Sequence, residues 1–185
     1  MGNNPIKWVF TFLLYDLAIY FWHVIGHKYV FLWRFHKVHH NDKSINTSTG
    51  FRFHVFDLFL EILYKCLFVI TVGIEADLVL AIEAIQLFFI FFHHSNITFK
   101  NEKRLSDFIV TPYSHKTHHS TLRSEHDSNY GIVLAFWDKL FDNRKELVPQ
   151  NIGLDIVVAE NFVQLFFLAF ITERHIKRIL NMIPK

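Results

Sequence analysis

Thirteen of the 185 residues are histidines, and most of them stand in tight clusters at helical spacing inside the chain. His23 and His27 are four residues apart, which puts both imidazoles on one face of a helix, within reach of a common ligand. Asp16 and Tyr20 fall on that same face, and a metal-bound imidazole usually gives its other N–H to such a group. The segments His36-Lys-Val-His39-His40 and His115-Lys-Thr-His118-His119 repeat one pattern, HxxHH, which sets three imidazoles on one face of a helical turn or two. Grouped imidazoles gain nothing in packing and repel one another if protonated; a metal ion removes that cost by taking up their lone pairs. A fourth group, His93-His94-Ser95-Asn96, closes an apolar stretch, and Glu83 lies close to three helical turns before His94 on the same face. One of the adjacent pair can face a metal while the other caps or packs, and His94 is the favoured ligand.

The expected ligands are therefore His23, His27, His36, His39, His40, His94, His115, His118 and His119. One ion cannot accept so many, whereas two ions with four to six ligands each can. Imidazole suits iron, zinc and copper alike. A membrane setting and the surplus of ligands favour two irons that activate dioxygen, with zinc an expected occupant of purified protein.

The elements that must position these residues are apolar helices. The chain is 51% hydrophobic and holds 22 phenylalanines. Four apolar stretches run from Trp8 to Ile25, Val55 to Gly73, Leu78 to Phe92 and Ile156 to Ile171, near or below the ~20 residues that cross a bilayer. Each carries polar residues: Asp16; Asp57, Glu61 and Lys65 along one face; Glu83 and Gln86; Glu160, Asn161 and Gln164. Ionisable groups at membrane depth seldom face lipid, so these stripes should face an internal site or the interface. The expected fold is all-α, a membrane-embedded helical bundle forming a single domain over residues 1–185, with its motif core in 16–142. Positive charge in the His-rich segments Lys28–Arg52 and Lys100–Tyr130 places the di-metal site on the cytoplasmic side. Thr111-Pro112 reads as a helix start, and Glu173–Lys185 as a basic amphipathic helix on the membrane surface. The N-terminus lacks a signal peptide's charged region and cleavage site, so the first apolar stretch should be retained.

A net charge of +2, with no basic stripe interleaved with stacking aromatics, speaks against nucleic acid. The single Cys66 excludes an intramolecular disulfide and a cysteine-based zinc site.

The ordered motifs resemble the fatty acid hydroxylase (sterol desaturase) superfamily, its bacterial sterol desaturase-like branch most of all. They are Asp16-x3-Tyr20-x2-His23-x3-His27, Leu32 to His40, Gly50-Phe51-Arg52-Phe53-His54, His94-Ser95-Asn96, Thr111-Pro112-x2-His115-x2-His118-His119-Ser120, Asp127-Ser128-Asn129-Tyr130-Gly131 and Trp137-Asp138-x2-Phe141. Two departures stand out. Val55 and Asp57 replace the Pro and Glu that often follow the Arg-x-His segment, and Asp142-Asn143 replaces the usual Gly-Thr after Phe141.

The resemblance implies a membrane di-iron enzyme that uses dioxygen to hydroxylate or desaturate a sterol, fatty acyl or related lipid. It implies the same nine histidine ligands, makes His54 a ligand or a support to one, and gives Asn129, Tyr130 and Asp138 supporting roles. The sequence holds no haem, flavin or nicotinamide motif, so electrons must come from a separate ferredoxin, cytochrome or reductase. Lys37, Lys43, Lys100, Lys103 and Arg104 could dock such an acidic carrier. A zinc-dependent membrane hydrolase would need only three protein ligands, an open position and a base. A non-enzymatic metal carrier would need ligands strung along a path through the bilayer. Nine clustered histidines fit neither well.

Overall fold

The computed structural model describes residues 4–154, 159 and 161–171. The described residues are nearly all helical or in turns, with no β-strand. Helix α1 (Pro5–Lys28) begins where the Asn4 side-chain oxygen accepts from the Ile6 N–H at 3.0 Å and Pro5 occupies the first turn. It breaks at Tyr29, whose extended backbone turns the chain into α2 (Val30–His36).

Helix α3 (Val55–Val72) is capped by His54, whose Nδ1 accepts from the Phe56 N–H at 3.2 Å. It ends at Gly73, where φ is +72°, a left-handed position that costs glycine nothing. A tight connection leads into α4 (Ala76–His94), which α3 reaches through the Lys65–Glu83 ion pair at 3.0 Å. Helix α1 packs against α2, α3 and α4, around Tyr15, Ile19 and Ile82. Both α1 and α4 are long and apolar enough to cross a membrane. Phe59 and Ile70 on α3 and Leu80 and Phe88 on α4 are left largely exposed, the outward surface of a membrane-embedded bundle.

The polar end of the bundle is built from short elements: α5 (Glu102–Leu105), α6 (Pro112–His118), α7 (Arg123–His126) and α8 (Phe136–Leu140). Helix α6 starts at Thr111-Pro112, with the Ser114 hydroxyl accepting from the Thr111 N–H at 3.1 Å. Helix α6 packs on α4. Asp138 on α8 fixes the preceding loop by accepting from the Tyr130 and Gly131 N–H groups at 2.7 and 2.9 Å.

Two expectations change here. His36, His39 and His40 do not share one helix, because α2 stops at His36 and residues 39–41 form a separate 3-10 turn. Of the fourth apolar stretch, Phe162–Leu168 is helical (α9), and Leu168 and Ala169 pack against Phe35 and Val38. Glu160 and the proposed surface helix 173–185 lie outside the described residues.

Candidate metal centre

The two elements carrying His36–His40 and His115–His119 meet the ends of α1 and α4, and the histidines sort into two groups. His23, His27, His36, His40 and His118 form one; His39, His94, His115 and His119 form the other. Within each group the nearest ring nitrogens lie within 4.8 Å of one another. All nine side chains are buried. Each HxxHH segment therefore divides. Its i and i+4 imidazoles enter one group and its i+3 imidazole the other, and the two segments do so in opposite senses. His40 and His119, from different groups, stack with ring centroids 4.4 Å apart.

Hydrogen bonding sets the chemistry of the first group. His23 Nδ1 meets the Tyr130 carbonyl at 2.8 Å, and His118 Nδ1 the Ser128 carbonyl at 2.8 Å. His36 Nδ1 meets an Asp57 oxygen at 3.0 Å, and His27 Nδ1 an Asp127 oxygen at 3.3 Å. A carbonyl or carboxylate oxygen can only accept, so each of these Nδ1 atoms carries the proton and each Nε2 presents a lone pair. Those four Nε2 atoms, and both nitrogens of His40, are buried with no hydrogen-bond partner among the described residues. Leaving so many buried polar atoms unmatched is costly.

In the second group His94 Nδ1 donates to the Ile90 carbonyl at 2.7 Å. His94 Nε2 then lies 3.0 Å from His39 Nε2, 3.0 Å from His115 Nε2 and 3.2 Å from His119 Nε2. His115 and His119 Nε2 are 3.1 Å apart. Nitrogens held at about 2.0–2.1 Å from one ion are separated by roughly 2.9–3.4 Å, from right-angled to tetrahedral arrangements. The residues fit a metal, and two groups fit two ions.

Burial, helped by the neighbouring imidazoles, holds His39, His40, His115, His118 and His119 well below the usual histidine range. They are neutral at physiological pH, the state a ligand requires.

The supporting residues act less directly than their spacing suggests. Asp16 touches no imidazole; it accepts from Trp137 Nε1 at 2.9 Å and the Leu134 N–H at 3.3 Å, tying α1 to the 130–140 loop. The Tyr20 hydroxyl accepts from Asn143 at 2.7 Å, and its ring packs edge-on against Tyr130. Both brace the loop whose Tyr130 carbonyl orients His23. Asn129 holds α6 to the following segment through the Ser114 and Lys145 carbonyls, each at 2.9 Å. Burial pushes the Asp138 carboxyl up to about 7, against the two backbone donors that favour its charge.

His54 stands apart from both groups, bonded to the Phe56 N–H and, through Nε2, to the Phe166 carbonyl at 3.2 Å. His93 is buried with its ring 4.0 Å from that of His115 but belongs to neither group. Glu83 pairs with Lys65 and Tyr15, and Asn96 is exposed. Lys37 is a correction: it is buried and donates to the Ile171 carbonyl at 2.6 Å, so it offers no docking charge.

Three participants escaped the spacing argument. Asp57 is the replacement for the superfamily's Glu, and it still delivers a carboxylate to His36. Asp127 lies within a quoted motif, but only the fold turns it toward His27. His126 bonds the Ser120 carbonyl at 3.0 Å and stacks on Trp33 at 5.1 Å. His126, His27 and Asp127 are close enough to suggest a third ion, but Asp127 already holds the His27 Nδ1 proton, so Asp127 and His126 form an outer layer around His27 of the first group. The other departure also has a place: Asp142 sits at φ +55°, a left-handed position suited to the superfamily's glycine and tolerated by aspartate.

Comparison with known proteins covers most of this architecture. Residues 8–143 match the fatty acid hydroxylase family. The chain is 27% identical over 190 residues to an ornithine lipid hydroxylase of Rhizobium tropici, covering 98% of this chain and 57% of that protein. It is 29% identical over 140 residues to human alkylglycerol monooxygenase, covering 75% and 31%. Against human cholesterol 25-hydroxylase it is 28% identical over 134 residues, covering 71% and 48%. The chain thus spans from about a third to somewhat over half the length of these relatives. No solved structure matches it. With the family's motifs gathered at one end of a helical membrane bundle, the chain belongs to the fatty acid hydroxylase family.

Proposed function

We propose that this chain is a dioxygen-dependent lipid hydroxylase whose nine histidines hold two irons on the cytoplasmic side of the membrane. The observation that carries the reading is the set of buried imidazoles whose Nδ1 protons are taken by carbonyl and carboxylate acceptors while Nε2 lone pairs converge without partners. His23, His27, His36, His40 and His118 would hold one iron, and His39, His94, His115 and His119 the other. When bound, the irons supply the activation of dioxygen that oxidises a lipid C–H bond, with electrons from an external carrier.

The protein's own residues supply position and dryness. A cavity of about 280 Å³ runs between α1, α3 and α4 and ends on His36, His39, His94 and His115. Ile19, Trp22, Leu58, Leu87 and Ile90 line it. An alkyl chain there is desolvated and brought to the imidazoles, which excludes water from the reaction. Asp57, Asp127 and the Tyr130 and Ser128 carbonyls fix ring orientation and raise ligand basicity. The relatives named as hydroxylases and a monooxygenase favour insertion of oxygen over desaturation. Cholesterol, alkylglycerols and ornithine lipids are the first substrates to assay.

The deciding experiment is metal content in protein purified in detergent without added metal. Iron near two per chain, lost in the His39→Ala/His118→Ala double variant, is expected. Dioxygen uptake with reductant and lipid, with a hydroxylated product, completes the test. Zinc that iron cannot replace with gain of dioxygen uptake would favour a hydrolase, and no stoichiometric metal would sink the proposal.

A further inference from the structure

Helices α3 and α4 carry charged side chains on the wall of the apolar slot. Lys65, midway along α3, bridges Glu61 at 2.8 Å and Glu83 of α4 at 3.0 Å, and the Tyr15 hydroxyl donates to Glu83. Their side chains are 22%, 19% and 36% exposed for Glu61, Lys65 and Glu83, and all three line the cavity that ends on the histidines. Such groups at membrane depth are costly and mark substrate or ion paths. A clamp between helices needs one cation and one anion. This cluster has two carboxylates for one ammonium, which leaves acceptor capacity unused.

Resting on the reading of the cavity as the lipid site, we infer that Glu61, Lys65 and Glu83 recognise a hydrogen-bond-donating group of the lipid, a hydroxyl or an amine, at its end remote from the imidazoles. The eight residues of α3 from Asp57, which orients His36, to Lys65 span about 12 Å. The eleven residues of α4 from Glu83 to His94 span about 16 Å. Between them the wall is mainly apolar, with Ile19, Leu58, Leu87 and Ile90; its polar member, Gln86, gives its amide N–H to Asp16 at 3.4 Å. The substrate class is therefore a lipid with a donor group separated from the oxidised carbon by an alkyl or sterol-like body of that length. The charged cluster fixes the register.

The test is binding without turnover. Displacement of a fluorescent alkyl probe from the purified full chain, without reductant, is measured for a long-chain primary alcohol, the matching primary amine and the matching alkane. A hydrogen bond to a charged group gives the alcohol, the amine or both about tenfold to a hundredfold tighter binding than the alkane. Which of the two gains names the donor. Glu83→Gln and Lys65→Met should lose that preference while alkane binding stays within about twofold, which also shows that the variants fold. Where either fails to bind alkane, Glu61→Gln carries the comparison. Leu87→Trp, which fills the slot, should weaken all three ligands. Equal binding of the three by the unaltered protein, or a preference that survives in the variants, overturns the inference. Metal content on the same preparation separates the two readings. A preference without stoichiometric metal leaves this inference standing and fells the hydroxylase. Two irons with no preference does the reverse.

Discussion

Removing Asp57 should cost metal affinity without unfolding the bundle. Its carboxylate accepts the Nδ1–H of His36 at 3.0 Å, and both side chains are nearly dry, 5% and 10% exposed. In Asp57→Ala the proton of His36 has no acceptor, the ring loses its orientation, and Nε2 becomes a poorer donor. Losing such a partner costs roughly 10–100-fold in metal affinity, about 1.4–2.7 kcal/mol. Asp127 gives an internal scale. Its bond to His27 is 3.3 Å and its side chain is 30% exposed, so water can take its place. Asp127→Ala should therefore cost about tenfold or less. The assay is metal retained per chain across a chelator series, with helix content by circular dichroism as the control for folding. Asp57→Ala within about twofold of the unaltered protein would refute the claim that Asp57 sets the His36 ligand. A larger loss in Asp127→Ala than in Asp57→Ala would refute the ordering by burial.

Three further outcomes follow from the same geometry. His39, His40, His115, His118 and His119 are held below the usual histidine range by burial, so the unfolded chain takes up protons below about pH 6.5 that the metal-free folded chain refuses. The stability of metal-free protein should be full above that pH and fall below it by up to about 1.4 kcal/mol per pH unit for each such histidine. Thermal midpoints flat from pH 7.5 to 5.5 would contradict this. Gly131→Ala should displace the Tyr130 loop, because a Cβ there would lie 2.7 Å from the Leu134 carbonyl oxygen and 3.0 Å from Asp138 Oδ2; metal content should fall with it, and undiminished metal would show that the loop does not hold His23. Trp137→Phe removes a buried donor to Asp16 and should destabilise the bundle by about 1–3 kcal/mol, read as the denaturation midpoint in detergent; an unchanged midpoint would show that this bond does not tie α1 to the loop.

Residue types and spacing pick out the nine histidines that the fold gathers, the apolar stretches of α1, α3 and α4, and the start of α6. These follow from local rules: i and i+4 share a helix face, proline and a small polar residue open a helix, and an apolar run must be buried or face lipid. The same rules favoured His94 over His93, and the fold brings only His94 into a group. Tertiary packing divides each HxxHH segment between the two groups, because the break after His36 and the packing of α6 on α4 turn neighbouring rings to opposite sides. It also decided who orients whom. The partners of His23, His27 and His36 lie 107, 100 and 21 residues away. Spacing alone assigns that task to Asp16 and Tyr20, which share a helix with two of those rings. A helix aligns residues along its own face, but a ring's free nitrogen points away from that helix, so its partner must come from whatever packs opposite. Lys37 illustrates the same point: its ammonium is held by the Ile171 carbonyl, and periodicity cannot reveal a partner that arrives from 134 residues away. Lys65 and Glu83 show the same limit, since they stand on different helices and only the fold brings them within 3.0 Å.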